Sequence, residues 1–360
     1  MRLSFLILFL WVSKLIFQIP GYLILNFIEL LLFFSVVLMT FKNNKINKSS
    51  SLFILFTIFI IFYAVNSINI NIPFKVILIQ IKWFVYLFVL NKLYIKFPFK
   101  IRYKKLLYTY LFIYLFERII LSIERPEWLI ENNFEIVLFA FFLIQITNLK
   151  LLKNNLFVWV TFFLILLLSN SKSGIFIGSF LFCYSLINTF RNYKILYFVI
   201  FSVIIFGTVR SYILPNLDNL LMIDRIVFTQ EFINDINSRN IYDIIFPNMQ
   251  VEPINLSSSS PLYFYEDLFI NDVAYSSLYH IMNYRLIFNF GVFGLILIYL
   301  SINCSLQKLY SKKKGRVLLF VLFLNGLSVS GINNTYWFFI IVLILNELNL
   351  KKLKEVYVIK

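Results

Sequence analysis

One histidine, two cysteines, nine glycines and eight prolines are few for a chain of 360 residues, and each scarcity removes a class of protein. With a lone His280, and with Cys183 and Cys304 each inside an apolar run, the chain has no zinc-type ligand spacing and no disulfide framework. Neither a Gly-rich phosphate loop nor a nucleophile elbow is present, so ATP-driven chemistry lacks its usual cradle. No cofactor and no metal are expected. Acidic residues are also short, 17 against 33 Lys and Arg, for a net charge of +16. A basic excess suits nucleic acid when it gathers on one face. Here the lysines sit in short hinges between apolar runs, which is the positive-inside distribution of a membrane protein, so no nucleic-acid partner is expected.

What the chain has in abundance is apolar surface. Hydrophobic residues make up 61% and aromatics 20%, with a mean hydropathy of +0.84. A single soluble core cannot hide that much apolar area behind a polar exterior. Repeated apolar runs of helix-spanning length imply an all-α polytopic membrane protein, because a strand left open in lipid would strand its backbone polar groups. About twelve spans are expected, near 3–19, 22–41, 51–67, 73–91, 106–121, 133–149, 156–170, 174–190, 195–213, 284–302, 317–333 and 335–349. The first resembles a signal peptide, with Arg2 ahead of an apolar run, but no small-residue cleavage site follows it. An uncleaved first helix is the reading. Residues 1–213 then carry nine spans, 214–283 form one large polar loop that is partly helical, and 284–360 carry three spans and a basic tail. Most of the cations fall in the hinges on the side of the N-terminus. Both termini are therefore expected in the cytoplasm and the loop outside. Codon-bias-like wealth in Phe, Ile, Lys and Asn points to a bacterium.

The outer side is where chemistry is expected. Inside, lysine dominates; outside, the cations are Lys75, Arg118, Arg125, Lys172, Arg210, Arg225, Arg239 and Arg285, mostly arginine. Arginine stays charged when desolvated, and its planar fork fits phosphate oxygens. Interfacial snorkelling or pairing with loop acids, such as Asp224 beside Arg225, is the alternative for each one. Lys172 stands in the short outer turn Ser169-Asn170-Ser171-Lys172-Ser173-Gly174, against the positive-inside trend. His280 is of the one side-chain type that ordinarily titrates near neutrality, so it is the candidate proton acceptor. Arg285 follows it by little more than a helical turn and is placed to face the same pocket. The loop also carries Asp218, Asp224, Glu231, Asp235, Asp243, Glu252, Glu266, Asp267 and Asp272, and no spacing selects a pair among them. Glu29, Lys14 and Lys82 lie inside spans, where a charge must be paired, snorkelling or lining a cavity. Segment 221–246 has the periodicity of an amphipathic helix lying on the outer membrane–water interface.

This order of features resembles the bacterial O-antigen polymerase (Wzy) and O-antigen ligase superfamily, multi-helix inner-membrane proteins with one large periplasmic loop late in the chain. Ser171-Lys172-Ser173-Gly174 is similar to the family's Ser-Arg-Ser/Ala-Gly turn, with lysine in place of arginine. His280 followed by Gly291-x-x-Gly294 is similar to the family's pattern at the loop's end, and Arg225 sits where the family often has an arginine opening a loop helix. Ile245-Phe246-Pro247-Asn248-Met249 stands where the family often has glycines. The resemblance implies a metal-independent glycosyltransferase acting at the periplasmic face of the inner membrane. It would join oligosaccharide repeat units carried on undecaprenyl pyrophosphate, with a flippase and a chain-length regulator as partners. It also implies His280 as the catalytic residue, and Lys172, Arg210, Arg225, Arg239 and Arg285 as the pyrophosphate-binding set. The ligase of the same superfamily and a lipid-linked oligosaccharide flippase or transporter remain open as alternatives.

Overall fold

The computed structural model describes residues 3–43, 51–92, 101–130, 132–151, 155–189, 207, 224–256, 260–329 and 331–358. Among them every regular element is helical. In chain order these are α1 (Leu3–Phe17), α2 (Gly21–Asn43), α3 (Ser51–Asn69), α4 (Phe74–Lys92), α5 (Tyr103–Ile119), α6 (Asn132–Thr147), α7 (Leu156–Leu168) and α8 (Lys172–Thr189). They continue as α9 (Asp224–Ser238), α10 (Ile241–Ile245), α11 (Met282–Leu309), α12 (Lys312–Gly326) and α13 (Thr335–Val358). Three short 3-10 turns, Pro261–Leu268, Ser276–Leu278 and Gly331–Asn333, interrupt the connections. The expected span near 195–213, and Arg210 within it, lie outside the described residues.

The helices end where a small polar residue can take over from glycine. Asn71, Asn148 and Asn170, just past α3, α6 and α7, all have positive φ, at 61°, 50° and 50°. Asparagine visits the left-handed region more readily than other non-glycine residues, so it closes helices in a chain that has little glycine. Ser311 starts α12 by accepting a hydrogen bond from the Lys314 amide, and Ser171 starts α8 by accepting one from the Gly174 amide, both in the manner of an N-cap.

Helix α6 is the centre of the bundle. Ile136 to Ile144 are buried without exception, and α5, α7, α8, α12 and α13 all pack against it. A helix apolar on every side has no stripe to turn outward, so it is surrounded. Among the described residues three helices are long and apolar enough to cross a membrane, over Gly21–Leu38, Phe74–Asn91 and Met282–Gln307, and five shorter helices are predominantly apolar. α1, α2 and α3 also present large exposed side chains, among them Ile16, Phe27, Leu38 and Ile61. Apolar faces of this extent suit lipid rather than water, which fits a helical membrane protein.

The single amphipathic helix expected over 221–246 is instead two. Asn240 breaks it with extended backbone and caps α10 by accepting from the Tyr242 amide. The apolar face of α9 turns inward, with Val227, Phe228 and Phe232 in a small core beside Leu262, Tyr279 and Ile281. The loop folds on itself because it has enough apolar residues to build that core.

Candidate functional site

The hinges α5–α6, α7–α8 and α12–α13 and the start of α11 are sewn together by asparagine. Asn325 donates to the Asn133 carbonyl (3.1 Å), Asn334 to the Phe134 carbonyl (2.8 Å), and the Met282 amide to the Val329 carbonyl (2.9 Å). Between them lies a cavity of ≈240 Å³ lined by Ile130, Phe134, Ser277, His280, Arg285, Asn333, Asn334 and Thr335. Two of the residues singled out in the sequence, His280 and Arg285, thus share one pocket.

Arg285 sits in the first turn of α11 and is 8% exposed. Its Nε and Nη2 have no hydrogen-bond partner among the described residues, and the same is true of the buried Oδ1 of Asn333. Buried donors left unsatisfied are rare because each forfeits its hydration without return. Helix α11 is fixed here by a polar clasp. Asn289 donates to Ser276 Oγ (2.7 Å) and to Gln80 Oε1 (3.1 Å), and Gln80 donates to Ser276 Oγ (2.8 Å). His280 lies exposed at the mouth, edge-on to Phe228 at 5.1 Å and to Tyr265 at 6.0 Å.

The opposite wall is backed by an ion pair inside the bundle. Thr335 donates to Glu29 Oε2 (2.7 Å), Lys82 Nζ lies 2.9 Å from the same oxygen, and Tyr86 donates to Oε1 (2.7 Å). Lys14 pairs with Glu127 at 2.9 Å. The three charges expected inside spans are therefore paired, as partly buried charges among apolar helices require. A further buried carboxylate escaped sequence reasoning. Glu135 accepts from Tyr114 (2.7 Å), Tyr336 (2.9 Å) and the amides of Trp128 (2.9 Å) and Leu129 (3.2 Å). It locks the hinge whose Ile130 and Phe134 line the cavity. The signal was present as a lone glutamate in an apolar run with tyrosines to spare.

Arg239 and Lys172 stand apart from the cavity. Arg239 is engaged by Asp235 (2.8 Å) and Glu252 (3.5 Å), lies 3.7 Å over the Phe288 ring, and donates to the Phe288 carbonyl (3.4 Å). Structure thus selects two loop acids that spacing did not distinguish. Burial pushes both carboxyls, Asp235 and Glu252, above the ordinary carboxylate range, and the Arg239 charge opposes that rise. Lys172 is exposed on the first turn of α8, while its neighbour Ser171 bonds Asn133 beside the cavity wall. Arg225 is the second residue of α9, and its side chain lies outside the described residues. Among the described residues no cluster of three His, Cys, Asp or Glu is placed to hold a metal ion.

A buried guanidinium with two uncommitted nitrogens, next to an imidazole at the mouth, is chemically suited to hold an oxyanion while a proton is moved beside it. Comparison with protein-family models and with curated proteins finds no match for this chain.

Proposed function

We propose that this chain is a membrane-embedded glycosyltransferase that joins oligosaccharide repeat units carried on undecaprenyl pyrophosphate, a surface-polysaccharide polymerase of the O-antigen type. The observation that carries this reading is the cavity shared by His280 and the buried Arg285, whose Nε and Nη2 are unpartnered. Its setting, a helical bundle with apolar outer faces, supports a lipid-borne substrate, and the resemblance of the Ser171–Gly174 turn and of His280 to Gly294 supplies the reaction class.

In this mechanism a hydroxyl of one repeat unit attacks the anomeric carbon of the growing chain. The new glycosidic C–O bond forms as the bond from that carbon to the diphosphate oxygen breaks. His280 takes the hydroxyl proton, and lipid pyrophosphate leaves with the bonding pair. Arg285 neutralises the charge gathering on the departing diphosphate, in a site where low dielectric strengthens the attraction. The donor is already activated, so the step calls on no nucleotide. Lys172 and Arg225 would meet the diphosphate farther from the reacting carbon. The bilayer is the bacterial inner membrane, with both termini in the cytoplasm and the 214–283 loop in the periplasm. A flippase supplies the substrate and a chain-length regulator limits the product.

The test is a gel of surface glycan from a strain lacking the protein, complemented with wild type, Arg285→Ala or His280→Ala at matched protein level. A single-repeat band without the long ladder, in the deletion and in both variants, is expected. Loss of the single-repeat band as well would assign the protein to ligation or flipping instead. An unchanged ladder in the deletion strain would overturn the reading.

A further inference from the structure

The segment from α10 to Met249 is apolar and turned outward. Ile241, Tyr242, Ile245, Phe246 and Met249 are all exposed, Tyr242 at 67% and Phe246 at 52%. Nothing in the loop's own small core includes them. Water would hold such a cluster at a cost, whereas lipid would not.

What lies against this patch identifies its surroundings. The Phe246 ring packs on Phe293 at 6.3 Å. Phe293 belongs to the outward face of α11 that continues through Ile296 and Leu300, each close to half exposed. On the other flank Asn66 near the end of α3 donates to the Met249 carbonyl (3.1 Å), and the Val251 amide donates to Ser67 (2.8 Å). The patch thus extends the outward apolar faces of two helices without a gap.

Its height follows from α11. That helix has 28 residues, ~42 Å at 1.5 Å per residue, which is longer than the ~30 Å of hydrocarbon in a bilayer. It breaks at Gly291, where φ is +64° and ψ 175°. The part from Gly291 to Leu309 alone measures roughly 28 Å, enough to cross the hydrocarbon. At the break the chain is capped from the loop side. Asn248 donates to the Phe288 carbonyl (3.1 Å) and its amide to the Asn289 carbonyl (3.2 Å). The loop segment is therefore fastened at the level where α11 leaves the hydrocarbon.

We infer that residues 241–249 are an interfacial membrane anchor, seated among the acyl chains and headgroups at the edge of the bilayer where α11 begins. The partner is the lipid surface itself. The anchor holds the loop down on the bundle and, through the Gly291 break, sets the tilt of the α11 segment that carries Arg285. This inference rests on α11 as a membrane span and is independent of the reaction proposed above.

Spin labels decide it. In full-length protein with Cys183 and Cys304 replaced by serine and reconstituted in lipid nanodiscs, single cysteines are placed at Tyr242 and Met249. Leu300 on the outward face of α11 serves as the lipid reference, and the exposed Asn237 of α9 as the water reference. Labels at 242 and 249 are expected to collide preferentially with oxygen over a water-soluble nickel chelate, as the label at 300 does. Collision ratios matching the label at 237 would overturn the anchor. All four positions are surface residues, so labelling leaves the packing intact.

Discussion

Arg285 carries a buried charge that the protein does not compensate within the described residues, and that arrangement costs folding free energy. Desolvating a single ion without a partner costs several kcal/mol, and an apolar side chain of similar length removes that cost. Arg285→Met is therefore expected to raise the unfolding temperature in detergent while abolishing the glycan ladder, the signature of a residue kept for function. A lowered unfolding temperature would mean that the guanidinium is a structural strut. Glu135 is the opposite case, since all its partners are internal. Glu135→Ala leaves two tyrosine hydroxyls and two amides without an acceptor, and each orphaned group costs roughly 1–3 kcal/mol. Glu135→Gln retains an acceptor oxygen. The alanine variant should melt well below the glutamine variant in a thermal scan, and equal melting would deny Glu135 its clasping role.

At the scale of elements, the break in α11 decides how the loop meets the bundle. Gly291 has positive φ, and a Cβ there would stand 2.6 Å from the carbonyl oxygens of both Ile245 and Phe246. Both carbonyls are backbone and cannot swing aside. Gly291→Ala combines left-handed strain, ~1–3 kcal/mol for a non-glycine residue, with that clash. The expected result is release of the 241–249 segment, read as faster amide exchange in α9 and α10, with exchange in α6 unchanged. Uniform acceleration across the bundle would show instead that the break is integral to the whole fold. Arg239 fits this account. Its contacts with Asp235, Glu252 and the Phe288 ring and carbonyl tie α9 to the top of α11.

For the whole molecule the open quantity is orientation. The lysine-rich hinges predict that the turn at Ser311 faces the cytoplasm and that Asn271, at the loop's surface, faces outward. In a background without Cys183 and Cys304, Asn271→Cys should react with an impermeant thiol reagent in intact spheroplasts. Ser311→Cys should react only after lysis. The reverse pattern would invert the topology and move the cavity to the other side of the membrane. Orientation leaves the packing around α6 unaffected, because the bonds that hold Glu135, Asn325 and Asn334 in place run between helices of the bundle itself.

Local signals were legible in the chain alone. Apolar run length set the helices, and α1 to α8 and α11 to α13 lie in order where the runs lie, because spanning length and end-capping asparagines act over a few residues. His280 and Arg285 were legible as neighbours for the same reason, being within two turns of one another. Partners were not legible. Glu135 meets a tyrosine 201 positions away, and Glu29 meets Thr335 306 positions away. The helices that carry them are apolar nearly all round, so no polar stripe declares which face meets which neighbour. Nor did periodicity reveal that α9 turns its apolar face into a core of its own while 241–249 turns outward. Only the lateral packing of the bundle decided which arginine is clasped, which is left buried with uncommitted nitrogens, and which acids meet it. Those outcomes depend on contacts between distant segments, which composition and spacing along one chain do not encode.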